Sequence, residues 1–295
     1  MKTITSILFI LAISVVNIFS QSDTTTLIFD EPYNTELPRN FRMTKGTFKY
    51  KSDIMPDTTG LRELNISGSS EFNNLNLPIL IKTINNKEII DIDLRQETHG
   101  FINGMPVSWY GKYDWADLKL SRSEVIKLEH QKLDSLRLLK DITVTHVLAK
   151  NKTNDTFKKV QDSTFPVTSV ITEEDLTKAN KIGYFRITAT DHRQPTTPDV
   201  DRFVEFVKEQ QPGSWLHFHC HAGDGRTTTF MVMYDMMKNA KTVGVDDIIK
   251  RQHLIGGIDL SKDDDFPSWD KQYAIERTAF LLDFYNYSKD NLDNF

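Results

Sequence analysis

The chain has 295 residues and a single cysteine, and one thiol cannot close an internal disulfide. This excludes the disulfide-stapled class of small exported domains. It leaves Cys220 two readings, a small buried hydrophobe or a reactive thiol, which only its neighbours can separate. Positive charge is also short: 36 Lys and Arg stand against 41 Asp and Glu, a formal net charge of −5. Bulk attraction to nucleic acid or to an acidic membrane is therefore not expected, and an anionic ligand has to be held by local positive charge. The sequence has no internal repeat and no low-complexity tract. The apolar run from Ile7 to Val16 is too short to span a bilayer comfortably.

That run lies in MKTITSILFILAISVVNIFS, behind Lys2 and ahead of the small Ser20 and the polar QSDTTT. The layout is that of a signal peptide over residues 1–20, with an uncleaved membrane anchor as the alternative. No cysteine follows to carry a lipid, so a periplasmic or secreted protein without a stable membrane anchor is expected. About 275 residues would remain, enough for one large domain or for one domain with an insertion.

Along the chain, Asn65 to Lys82 reads as helix or loop followed by a strand at LPILIK, and EIIDIDL (Glu88 to Leu94) as a strand. Asp93 to Ser121 carries so many glycines and aromatics that an irregular, site-bearing loop is expected. Trp109, Tyr110 and Trp115 could equally cap a core edge. Ser123 to Lys140 has helical spacing, and several short strands over about 141–182 suggest a small inserted β-rich subdomain. Then strand and helix alternate: GYFRITAT, a helix capped by Thr197 with Pro198 in its first turn, SWLHFHC, the helix TTTFMVMYDMMKN and a last helix from Tyr273 to Ser288. This alternation predicts an α/β fold with a mostly parallel central sheet flanked by helices.

Cys220 ends one of these strands, and the next helix begins near Arg226. Between them His221, Ala222, Gly223, Asp224 and Gly225 form a short loop. A strand-to-helix loop converges backbone N–H groups, and the helix start adds positive potential, so the loop suits a tetrahedral dianion. Arg226 can grip two phosphate oxygens in its planar fork, and the glycines permit the tight backbone. These features favour a reactive sulfur attacking a bound phosphate. A competing zinc reading of His217, His219, Cys220 and His221 is opposed by strand alternation, which sends Cys220 to the other face from His217 and His219.

HCHAGDGRT resembles the signature loop of the protein tyrosine phosphatase superfamily. No Trp-Pro-Asp triplet precedes it. Instead TATDH, DRF and HCHAGDGRTTTF together are similar to the bacterial tyrosine-phosphatase-like inositol phosphatases, often called cysteine phytases, with further similarity in LPRNFR and in DLRQETHGFINGMPVSWYGKYDWADL. The resemblance covers about Leu37 to Tyr287. It implies a tyrosine-phosphatase-like core with a small inserted β-barrel, and stepwise hydrolysis of inositol polyphosphates through a phosphocysteine without metal or cofactor. Cys220 would be the nucleophile, Arg226 the phosphate clamp, Asp191 the general acid and then base, and Thr227 a hydrogen-bond donor to sulfur. His221 to Gly225 would wrap the phosphate, His219 would brace the loop, and His192, Arg42, Asp114 and Lys271 would contact substrate, although Lys271 could be a solvated helix residue. Arg95 and Arg193 add local positive charge. Asp224 places a negative charge in a loop built for anions, and His221 stands where the family often has glutamate. The alternatives are a phosphotyrosine or phosphoinositide phosphatase, or a phosphate-binding module without turnover.

Overall fold

The computed structural model describes residues 25–262 and 267–291. The expected signal peptide lies outside the described residues. A central sheet is built from β2 (Arg42–Met43), β3 (Ile66–Ser69), β4 (Ile89–Asp93), β10 (Gly183–Arg186) and β11 (Trp215–His219) in the order β10-β4-β11-β3-β2. All neighbours are parallel except the β2–β3 pair. A second sheet of β1 (Thr26–Phe29), β5 (His99–Ile102), β6 (Met105–Tyr110), β7 (Asp141–Lys150), β8 (Phe157–Pro166) and β9 (Val170–Ile171) runs β8-β7-β1-β6-β5-β9. It thus draws on residues 26–29 and 99–110 as well as on the segment 141–182. Its hydrogen-bonded order is open, with β8 and β9 at the edges.

Alternation within the central strands gives the sheet two unlike faces. Ile66, Ile92, Leu216 and Phe218 join the main core, where they meet α4 (Thr197–Glu209), α5 (Gly225–Asn239), α6 (Val245–Leu254) and α7 (Lys271–Asn291). The intervening Ser67, Ser69, Asp91, Asp93, Arg186, His217 and His219 are buried on the opposite face. They lie under α1 (Leu77–Ile84), α3 (Glu173–Ala179) and the second sheet, whose own core packs on α2 (Arg122–Arg137). α5 is buried from Arg226 through Met237, apolar enough all round to be the central helix.

Several expectations change. LPILIK is helix α1, with Pro78 in its first turn, and the strand β3 precedes it. The expected irregular loop contains the β5–β6 hairpin, turned by Asn103 (φ 53°) and Gly104 (φ 82°), the positive-φ pair that a two-residue turn needs. α4 is capped by Thr196 rather than Thr197: the Thr196 side chain accepts from Asp199 N while Asp199 reaches back to Thr196 N.

Candidate active site

The loop after β11 is shaped by its carbonyls. His221 O accepts from Glu71 N at 3.3 Å and Asp224 O from Thr228 N at 2.9 Å. Ala222 O accepts from Asn40 Nδ2 at 2.9 Å, and Gly223 O from Arg42 Nη1 at 2.8 Å. No peptide bond among the described residues is cis. In a trans peptide the N–H points opposite to the C=O, so outward-bonded carbonyls at 221–223 turn the amides of 222–224 into the concave side. With the α5 N-terminus this forms an anion nest. Gly223 (φ 77°) is required here, because a Cβ would lie 2.3 Å from Ser69 C and Ser70 N.

Cys220 sits at the base of the loop and is 2% exposed. Thr227 Oγ1 donates to its sulfur at 3.2 Å. Arg226 is 3% exposed; its Nη1 and Nη2 donate to Glu97 Oε2 and Oε1 at 2.6 and 3.0 Å. Its Nε lies 3.0 Å from Asp191 Oδ1. Burial would raise the Asp191 carboxyl, but Arg226 foremost and then His192 outweigh it and hold Asp191 below the usual carboxylate range. Trp115 Nε1 donates to Asp191 O at 2.9 Å, fixing this segment from the β6–α2 connection.

Around this centre the remaining residues divide. His221 remains partly open, with Nδ1 3.3 Å from Asp114 Oδ2 and Nε2 3.7 Å from Asp30 Oδ1. Burial alone would lower its pKa, but those two carboxylates raise it. Asp114 is raised, first by burial and then by the neighbouring Glu97. Arg193 packs against Trp115 and Tyr273, 4.7 and 5.1 Å from the ring centroids. Trp269 packs edge-on to His192 at 4.7 Å. The Trp269 Nε1 donates to Lys152 O in the β7–β8 turn at 3.1 Å.

Three expected roles are corrected. Arg42 is buried and bonds Gly223 O and Thr228 Oγ1 (3.0 Å), so it shapes the loop from behind instead of lining the pocket edge. Arg95 is fully buried against Glu97, Asp30 and Glu71 at 2.7, 2.8 and 2.9 Å. It serves as an internal counter-ion and not as a substrate cation. His219 does not brace the loop: its ring faces Glu173 (2.7 Å), Asp91 (3.5 Å) and Glu71 (3.8 Å) on the polar face of the sheet. The histidine and cysteine set weighed for zinc is likewise split, with His217 bonded to Ser67 and Ser69 and Cys220 in the apolar core. Asp224 is restrained by Asn40, whose Nδ2 donates to its Oδ1 at 3.0 Å, and burial raises its carboxyl. Lys271 opens α7 immediately after Asp270, whose Oδ2 lies 3.0 Å from His192 Nδ1.

Glu97, Asp270 and Arg277 were not anticipated. Asp93, Arg95, Glu97 and His99 recur at every second residue, the period of an extended segment with one buried charged face, and that spacing was a readable signal. Asp270 and Arg277 come from the segment after α6, 45 or more positions from the loop in the chain, and carried none.

A phosphate-sized nest over a buried cysteine, with an arginine fork and an opposed carboxylate at the C-terminal edge of a parallel sheet, defines the tyrosine-phosphatase-like fold class. A family model, PTP-like phytase (inositol hexakisphosphate), matches residues 92–238. The PTP-like phytase of Bdellovibrio bacteriovorus is 37% identical, with a TM-score of 0.70 over 90% of this chain and 89% of that one. The PTP-like myo-inositol phosphatase of Mitsuokella multacida, solved with myo-inositol-(1,3,4,5)-tetrakisphosphate, is 38% identical with a TM-score of 0.86, covering 92% of this chain and 46% of that one. Effector protein hopD2 of Pseudomonas syringae pv. tomato is 27% identical over 242 residues, 80% of this chain and 50% of its own length. The chain belongs to the PTP-like phytase family, and it spans about half the length of the Mitsuokella and Pseudomonas relatives.

Proposed function

We propose that the protein is a cysteine-dependent phosphatase that removes phosphates stepwise from inositol polyphosphates such as inositol hexakisphosphate. One observation carries this reading: a single loop gathers buried Cys220, its donor Thr227 and the Arg226 fork around amides aimed at one dianion, and the β10–α4 connection sets Asp191 against the fork. The Cys220 thiolate attacks phosphorus, the P–O ester bond breaks, and Asp191 delivers a proton to the departing alkoxide. In the second step Asp191 takes a proton from water, the water oxygen bonds phosphorus, and the S–P bond breaks toward Thr227.

The free site holds Asp191 ionised against Arg226 Nε, yet a general acid must be protonated. A bound dianion supplies both corrections. It competes for the guanidinium, and its negative charge raises the Asp191 carboxyl. Substrate therefore prepares the acid it needs. The relative solved with an inositol tetrakisphosphate supports the substrate class. The rim of His192, His221 and Arg193 supplies the local positive charge that a polyanion needs on a chain of net charge −5. Export forms part of the proposal and rests on residues 1–20 alone.

The test is phosphate release from inositol hexakisphosphate beside a phosphotyrosine peptide, with chelator present. The wild type should prefer the inositol substrate, and Cys220→Ser should lose at least about a thousandfold in kcat. Preference for the peptide would move the activity to phosphotyrosine. Undiminished turnover by Cys220→Ser would reject sulfur as the nucleophile.

A further inference from the structure

Asp191 is followed by a histidine held in an uncommon way. His192 adopts φ 65°, a left-handed conformation that a non-glycine residue reaches only at a cost. Three contacts from α7 and its lead-in enforce it. Asp270 Oδ2 lies 3.0 Å from His192 Nδ1, Arg277 Nη1 donates to His192 O at 3.2 Å, and the Trp269 ring meets the imidazole edge-on. The other ring nitrogen, Nε2, lies 3.4 Å from Asp191 Oδ2. A carboxylate, an imidazole and a second carboxylate therefore stand in line. The inner member is the general acid, and the outer one, with its side chain 5% exposed, takes no part in the chemistry.

We propose that Asp270 is a positioning residue: by accepting the Nδ1 proton of His192 it fixes the ring and keeps it cationic. Nε2–H is then presented at the pocket mouth, shared between Asp191 and a second phosphate of the substrate. The inference rests on the inositol polyphosphate reading and adds to it the residue that sets discrimination between poly- and monophosphates.

The charges facing His192 decide its protonation. Burial acts to lower its pKa, and Asp191 and Asp270 more than offset this while Arg226 opposes them, so the ring is raised above the ordinary histidine value. Arg277, the other cation packed here, donates to the His192 carbonyl and also acts electrostatically on Asp270 and Asp191. A neutral ring with its proton on Nδ1 would offer substrate only a lone pair at Nε2, which repels phosphate oxygen. Asp270 thus matters through charge as well as through geometry. The Asp270→Asn variant keeps the shape and can still accept from Nδ1 through its amide oxygen, but it lacks the charge.

The experiment compares wild type, Asp270→Asn, His192→Gln and the double variant on inositol hexakisphosphate and on 4-nitrophenyl phosphate across pH 4 to 8, with an NMR titration of His192. In Asp270→Asn, His192 should titrate about one pH unit lower, and the basic limb of kcat/KM for inositol hexakisphosphate should follow it downward. KM for inositol hexakisphosphate should rise progressively as pH passes through the His192 titration, approaching about tenfold toward pH 8, while the monophosphate KM stays within about twofold. In the His192→Gln background the Asp270 change should add nothing further. An unmoved His192 titration, equal KM effects on both substrates, or additive losses in the double variant would overturn the proposal. A wild type inactive on inositol hexakisphosphate but active on 4-nitrophenyl phosphate would instead overturn the substrate reading, with the titration still reporting on Asp270.

Discussion

At the residue scale, the phosphate loop is held from outside itself. Asn40, Arg42 and Glu71 take its carbonyls, and Ser69 and Ser70 press against the one position where no Cβ fits. Gly223→Ala must relieve both a positive φ and a 2.3 Å overlap with backbone, and neither can be absorbed by a flexible side chain. The expected cost is about 1–3 kcal/mol of stability, with a loss of phosphate binding because the amides of 222–224 lose their common aim. Thermal unfolding with and without inorganic phosphate measures both. A variant that phosphate stabilises as much as it does the wild type would show that the nest does not depend on this turn.

At the scale of elements, α3 is a short helix with a disproportionate role. Its first residue, Glu173, is buried and meets His219 of β11 at 2.7 Å and His99 of β5 at 3.0 Å. One carboxylate thereby ties the strand that leads into the Cys220 loop to the second sheet. Glu173→Gln leaves two imidazolium groups short of a charge partner in a dry site. The expected loss is about 3 kcal/mol. Because it is the cationic histidines that miss the carboxylate, the loss should be largest between about pH 4.5 and 6.5 and should shrink toward pH 8. Denaturant unfolding at both pH values checks this, and a pH-independent loss would assign Glu173 a packing role only. The β5–β6 hairpin bears on legibility at this scale. Its Asn103–Gly104 pair was a readable turn signal, but the aromatic and glycine content around it pointed to a loop, and only pairing with β1 and β9 makes the segment strand.

At the scale of the molecule, the buried charge network sets the pH at which the fold is firmest. Glu71 is pushed up from 4.5 to about 7, chiefly by burial and then by Glu173, so its ionisation opposes folding increasingly as pH rises between those values. Burial lowers His219, but Glu173, Asp91 and Glu71 raise it well above 6.5. Its contribution is complete below 6.5 and is lost as pH rises through its folded value. Burial raises Glu173, but His219 and His99 bring it well below 4.5. Its contribution is present above 4.5 and is lost as pH falls through its folded value. His219 and Glu173 contribute fully between about pH 4.5 and 6.5, and Glu71 moves the maximum to the acidic end of that window. The melting temperature at pH 5.5 should exceed that at pH 8 by about 3 °C or more; a flat profile across this range would mean that the network stays ionised throughout.

The sequence alone determined the α/β alternation and the loop with Cys220 and Arg226 at its two ends, because each depends on local spacing or on a contiguous motif. HCHAGDGRT carries its chemistry within a few positions. What the sequence could not decide was which charges face which. Arg42 and Arg95 read as cations available to substrate, yet the fold turns one to the back of the loop and encloses the other among carboxylates from three separate segments. Glu97 and Asp270 gained their places beside Arg226 and His192 in the same way. A charged side chain has no preferred partner along the chain. Its partner is fixed by which residues the packed sheets and helices bring within a few ångströms, since a buried charge must find its counter-ion there or not be charged at all.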